Sequence, residues 1–195
     1  QRLASRRLLV ADGAWGTQLQ ARGLQPGECA ELWNLTRSRE VRAVAEQYVA
    51  AGSDLILTNT FGGSPLMLRR HGLEARAEEL NAAGARLSLE AAGGRALVAA
   101  SIGPTGELPA PLGTVSEAEL EEGFRRQIRA VLEAGVRILC VETMTDLTEA
   151  ACAVRAARRA AGELGVEAEV MATLTYGPTP GGYRTVMGVD IPATV

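Results

Sequence analysis

Five short apolar runs recur along this chain, and each leads through a turn into a pattern with helical periodicity. They occupy residues 8–11, 54–58, 96–100, 137–141 and 169–174, spaced by roughly forty residues, as expected for a strand–helix unit repeated in a parallel sheet. No G-x-G-x-x-G follows the first run, which argues against a dinucleotide-binding sheet. A (β/α)8 TIM barrel fits better, but such a barrel takes about 250 residues. The 195 residues present are therefore expected to cover the first five βα units, and five strands cannot close a barrel.

The segments between the runs support that frame. Residues 18–22 read as a short helix stopped by Gly23, and residues 31–35 as a connecting piece without a clear period. Ser38 is placed to cap a helix running to about residue 51, with Val41, Val44, Ala45, Tyr48 and Val49 on one face. A long helix is expected over residues 73–92, stopped by Gly93-Gly94. Ser116 and Glu119 have capping-box spacing for a helix that ends near Gly135. Asp146 is placed to start the next helix, over residues 147–164 and ending at Gly165. Residues 176–182 read as a loop, with a sixth helix expected after 183–188.

The formal charge of −3 and the spread of arginines along the helices predict no nucleic-acid partner. No apolar run is long enough to span a bilayer, and the basic opening, residues 1–7, has no apolar core behind it. No membrane partner is expected, and the cytoplasm is the default location. Cys29, Cys140 and Cys152 are too few and too scattered for a disulfide framework. They lack C-x-x-C spacing, and the single His71 has no nearby partner, so no metal site can be read from the residues present.

The informative positions are the carboxyl ends of the strands. The run 137–141 passes directly into Glu142, and the run 8–11 into Asp12. An ionised carboxylate at such a place is poorly explained by packing and well explained by a ligand in a pocket above the sheet. The strand mouths read Asp12-Gly13-Ala14-Trp15-Gly16-Thr17, Thr58-Asn59-Thr60-Phe61-Gly62, Ser101-Ile102-Gly103-Pro104-Thr105-Gly106 and Glu142-Thr143, with Glu31-Leu32-Trp33-Asn34 between the first two. In this order they resemble the homocysteine S-methyltransferase family. That family includes the homocysteine-binding module of cobalamin-dependent methionine synthase and the betaine– and S-methylmethionine–homocysteine methyltransferases.

The resemblance implies a (β/α)8 barrel that transfers a methyl group to the thiol of homocysteine, forming methionine, with a zinc ion held by three cysteines. Those ligands are expected C-terminal to this chain, since none of Cys29, Cys140 or Cys152 matches a family ligand and no Gly-Gly-Cys-Cys occurs here. The chain alone is therefore expected to be inactive and to supply no catalytic or metal residue. Within the family the resemblance implies methionine synthase, with methylcobalamin as methyl donor and with cobalamin- and folate-binding modules on the same polypeptide. A betaine or S-methylmethionine enzyme is the alternative, and a non-catalytic amino-acid-binding or scaffold half barrel is the rival of another class.

By the same resemblance Asp12 and Glu142 bind the substrate ammonium, as two acids at neighbouring strand mouths. Backbone N–H groups of Gly13 and Ala14, or of Ser101 to Gly103, are candidates for the substrate carboxylate. Thr58 and Asn59 are expected to orient these groups, and Asn59 reads equally as a hydrogen bond that holds its own loop. Trp15 and Trp33 read as packing at the pocket rim, His71 as an exposed or helix-start histidine, and Cys140 as a small buried residue.

Overall fold

A computed structural model describes residues 8–194; the basic opening at residues 1–7 lies outside the described residues. Four parallel strands, β1 (Leu55–Leu57), β2 (Leu97–Ile102), β3 (Ile138–Met144) and β4 (Glu169–Leu174), lie side by side in chain order. Before β1 come the helices α1 (Gly16–Gln20), α2 (Trp33–Thr36) and α3 (Ser38–Ala50), and between the strands lie α4 (Pro65–Leu68), α5 (Ala77–Ala92), α6 (Glu117–Glu133) and α7 (Leu147–Leu164). An antiparallel hairpin, β5 (Gly177–Thr179) with β6 (Gly182–Arg184), follows β4. Because all four main strands run the same way, their carboxyl ends open onto one face.

The sheet sorts its residues by the two-residue period of a strand. Ile56, Val98, Ala100, Ile102, Leu139 and Val141 face the helices and join the main core with Phe124, Ile128 and Val131 of α6. Leu55, Ala99, Ile138 and Cys140 form a smaller cluster on the other face. α7 meets this core with Cys152, Ala153, Ala156, Ala157 and Ala160, a face of small side chains that lets it lie close to the sheet and α6. Phe124 is the largest fully buried side chain, and truncating it to alanine would cost about 3–5 kcal/mol.

Local signals act as their chemistry predicts in most of the chain. The Ser116 side chain accepts from the Glu119 N–H while Glu119 reaches back to Ser116, so the capping box is complete. Asp146 caps α7 by accepting from the Glu149 N–H at 2.9 Å, and Gly165 ends that helix at φ 64, where a side chain would be strained.

Several expectations are corrected. Residues 8–11 make a single parallel bridge, Ala11 to Leu55, rather than a strand; Leu8 and Val10 are left exposed. The segment at 31–35 is helical, a 3-10 turn over Ala30–Leu32 leading into α2, because Trp33 anchors it against Leu19, Leu24, Val41 and Val44. Ser38 is the first residue of α3 and makes no cap; Arg37 precedes it. The long helix begins at Ala77, after α4 and two 3-10 turns. The loop at 176–182 and the expected sixth helix are replaced by the β5–β6 hairpin and a 3-10 turn at Ile191–Thr194. Gly182 at φ 116 supplies the tight reversal.

Candidate functional site

A pocket of about 270 Å³ lies at the carboxyl ends of the strands. Gly13, Ala14, Trp15 and Gly16 form one wall, and Leu57, Thr58, Asn59 and Phe61 come from the mouth of β1. Ser101 of β2 and Glu142 of β3 close the far side, with Ala30 and Glu31 beneath the β1 loop. Six of the eight residues singled out from sequence thus converge on one cavity: Gly13, Ala14, Thr58, Asn59, Ser101 and Glu142.

Glu142 is half-buried and accepts a short hydrogen bond from the Ser101 hydroxyl. Burial pushes its carboxyl pKa up; the Ser101 bond pulls it back, and the Asp12 charge pushes it up again. Asp12 is not among the lining residues. Its Oδ2 accepts from the Trp15 indole N–H and the Leu57 N–H, both at 2.8 Å, while its Oδ1 is buried without a hydrogen-bond partner. Burial raises its pKa against those two bonds. The expectation of two acids at neighbouring strand mouths is corrected: Ala11 pairs with β1, and β1 and β2 stand between it and β3. They are nevertheless close enough to feel each other's charge.

The other expected residues do varied work. Thr58 shares a 2.5 Å hydrogen bond with Thr60 and accepts from the Ser101 N–H at 3.1 Å, tying β1 to β2. The Asn59 amide donates to the Ala30 carbonyl and Asn34 Oδ1, both at 2.8 Å, which gives it the loop-holding role. Gly103 stands outside the pocket lining, and its N–H donates to the Phe61 carbonyl at 2.9 Å. A Cβ there would stand 2.6 Å from the Phe61 ring, so only glycine lets that ring approach. Trp15 sits at the rim, whereas Trp33 is buried away from the pocket.

Glu31 is the residue that sequence reasoning missed as a member of the site. It is 7% exposed, lines the pocket, accepts from the Gly62 N–H at 2.7 Å and from the Cys29 thiol at 3.4 Å. Its acid among apolar neighbours was the available signal, obscured by the lack of a period in that segment.

A larger cavity of about 910 Å³ opens at the other end of the sheet, near Leu89, Val136, Ala161 and Val166. Its Arg137 donates to the carbonyls of Leu132 and Val136. Parallel α/β sheets place their chemistry at the carboxyl ends, and the acid–hydroxyl pair lies there, so the smaller pocket is the candidate site.

The residues present do not fit a zinc ion. Among the described residues, no three His, Cys, Asp or Glu side chains come together as metal ligands. Burial, with the Glu31 charge, pushes the Cys29 thiol up to about 11. Burial, with the Glu142 and Asp12 charges, pushes Cys140 up to about 12. Burial also raises Cys152. None of the three thiols stands with two further ligand side chains among the described residues, which a protein zinc site requires.

A parallel sheet, helices on one face and an acid-bearing pocket above the strand ends define an α/β protein with a ligand site at the mouth of its sheet. The chain belongs to the homocysteine S-methyltransferase family, whose model matches residues 9–195. It is 32% identical over 189 residues to a methionine synthase of Mycobacterium tuberculosis, covering 90% of this chain and 16% of that protein. Identity to the methionine synthase of Mycobacterium leprae is 30%, over 90% of this chain and 15% of that protein. The chain thus spans about one-sixth of the length of these relatives. Among solved structures, the metallated homocysteine methyltransferase MmuM from Escherichia coli matches with a TM-score of 0.71 at 24% identity, over 89% of this chain and 65% of that one. Its oxidized form matches with a TM-score of 0.72 at 22% identity, over 97% and 68%. These structural likenesses establish the fold.

Proposed function

We propose that this chain is the N-terminal part of a (β/α)8 barrel that holds homocysteine for methylation of its thiol, within a cytoplasmic methionine synthase. The reading is supported by family membership and by two relatives, at 32% and 30% identity, that are methionine synthases. In that protein methylcobalamin is the donor, and folate- and cobalamin-binding modules belong to the same polypeptide. The observation that carries the substrate assignment is the Glu142 carboxylate, which lines the pocket and is partnered by a neutral hydroxyl.

A neutral partner leaves the charge of Glu142 available to a cation. The substrate ammonium donates to Glu142, and the Ser101 hydroxyl keeps the carboxylate turned towards the pocket. The Asp12 charge, fixed by Trp15 and Leu57 behind the pocket lining, adds long-range attraction for the same ammonium. Gly13 and Ala14 line the same cavity and are the proposed backbone donors to the substrate carboxylate. These residues hold and orient the amino-acid end, and no step of methyl transfer passes through them.

The test is calorimetric titration of L-homocysteine into the full-length protein and its Glu142→Gln variant. Loss of a charge-assisted hydrogen bond, about 1.5–3 kcal/mol, weakens binding by about tenfold or more. Unchanged affinity would overturn the assignment. A stand-alone homocysteine methyltransferase is the second reading, favoured by the likeness to MmuM. Turnover with a sulfonium or betaine donor, and none with methylcobalamin, would select it.

A further inference from the structure

β3 carries one residue more than a regular strand allows. Ile138 and Cys140 face the inner cluster, while Leu139 and Val141 face the helix-side core. Strict alternation would next send Thr143 to the helices and Met144 to the inner face. The structure does the reverse: Met144 is fully buried in the helix-side core beside Leu139 and Val141, and Thr143 is exposed.

The strand pairing locates the extra residue. Val141 pairs with Ala172 and Met144 with Leu174, three steps on β3 against two on β4. Glu142 and Thr143 therefore stand together opposite Thr173, as a β-bulge. The slack is taken up at Thr143, whose φ is 61. It is the one non-glycine among the described residues in the left-handed region, which a β-branched residue strongly disfavours. Its N–H, displaced from the ladder, donates to Thr173 Oγ1 at 3.3 Å. The anchored core position of Met144 on one side and the Thr173 bond on the other hold the bulge in place.

We propose that Thr143 is a positioning residue for ligand binding: its left-handed backbone forms the bulge that frees Glu142, already on the inner face by alternation, from regular pairing and sets how its carboxylate meets Ser101 and the pocket. The inference rests on the reading of Glu142 as the ammonium ligand. Bulges bend a strand and re-aim a side chain, and backbone strain of this kind persists only where the surrounding packing over-determines it. The role belongs to the backbone of Thr143 and acts through Glu142.

That gives a test with a coupling readout, made by titrating L-homocysteine into the full-length protein. Thr143→Pro, whose ring excludes positive φ, is expected to weaken binding by about tenfold or more. Thr143→Gly, which enters the left-handed region freely, is expected to keep affinity within about threefold of the parent and to melt at a higher temperature. In a Glu142→Gln background, Thr143→Pro should add no further loss, because the group it positions is already neutral. Additive losses in that cycle, or Thr143→Gly losing as much affinity as Thr143→Pro, would overturn the proposal. Should Thr143→Pro not fold, Thr143→Gly decides: a melting temperature no higher than the parent's would also overturn it. Full affinity in Glu142→Gln alone would refute the ammonium reading instead, while the melting comparison would still report on the bulge.

Discussion

Glu142 is set against itself: the burial that makes its charge effective on a ligand also makes the empty pocket less stable. Its pKa is raised above the ordinary 4.5, first by desolvation. The folded state therefore holds the proton more tightly than the unfolded chain. The stability this confers is fully present below the unfolded pKa and is lost as pH rises through the raised folded value. Glu142→Gln keeps an acceptor for the Ser101 hydroxyl and removes the buried charge. We expect the ligand-free variant to melt above the parent at pH 7, with the gap closing as pH falls towards 4.5. A melting series across that range checks it, and a constant gap would place the cause elsewhere. Homocysteine binding runs the other way, since an ammonium needs the ionised acid, so affinity should fall as pH drops through the same raised value. At this scale the sequence was informative where a charge sat at the end of an apolar run, as at Asp12 and Glu142. It named Gly103 as a candidate donor to a ligand without any sign that its N–H goes to Phe61, and it was silent on the Thr143 bulge. A backbone N–H used by Phe61, or a φ of 61, leaves no trace in residue type.

Elements were legible in proportion to how local their causes are. α7 and β4 have the expected bounds because their caps and periods lie within the segment itself. The helical turn at 30–36 was not legible, since it is held by Trp33 packing into a distant cluster. Neither was the shrinkage of the 8–11 run to one bridge, set by pairing with β1. The same distinction orders two substitutions. Ser116→Ala removes one side-chain cap at an exposed helix start and should cost about 1 kcal/mol. Glu149, buried on α7, accepts from both the N–H and the hydroxyl of Thr105, at 2.7 and 2.6 Å, pinning the loop after β2. Glu149→Ala strands a buried N–H and should cost about 2–3 kcal/mol. Glu149→Gln keeps an acceptor and should recover most of it. Urea unfolding of the three variants checks the ranking, and a Ser116 effect equal to the Glu149 effect would contradict the tertiary role given to Glu149.

The whole molecule is a sheet with an open side. Among the described residues, β4 pairs with β3 alone, and Ala172 and Thr173 are exposed. Its run Val170-Met171-Ala172-Thr173-Leu174 has no charge and no proline. An unblocked edge of that composition is a template for another strand. In the barrel proposed above, the next strand of the same polypeptide covers it. In the purified 195-residue chain, another copy is the available partner, so we expect concentration-dependent association in sedimentation velocity. Lysine on an edge strand opposes such pairing. Ala172→Lys should therefore shift the chain towards monomer while leaving its helical circular dichroism unchanged, because α6 packs on β2, α7 is held by α6 and β3, and Ala172 itself is exposed. Equal association in both proteins would move the contact away from β4, towards exposed apolar residues such as Leu108, Leu112 or Val186. The two outcomes separate an exposed strand edge from an exposed apolar surface, because a charge on the edge acts on the first and not on the second.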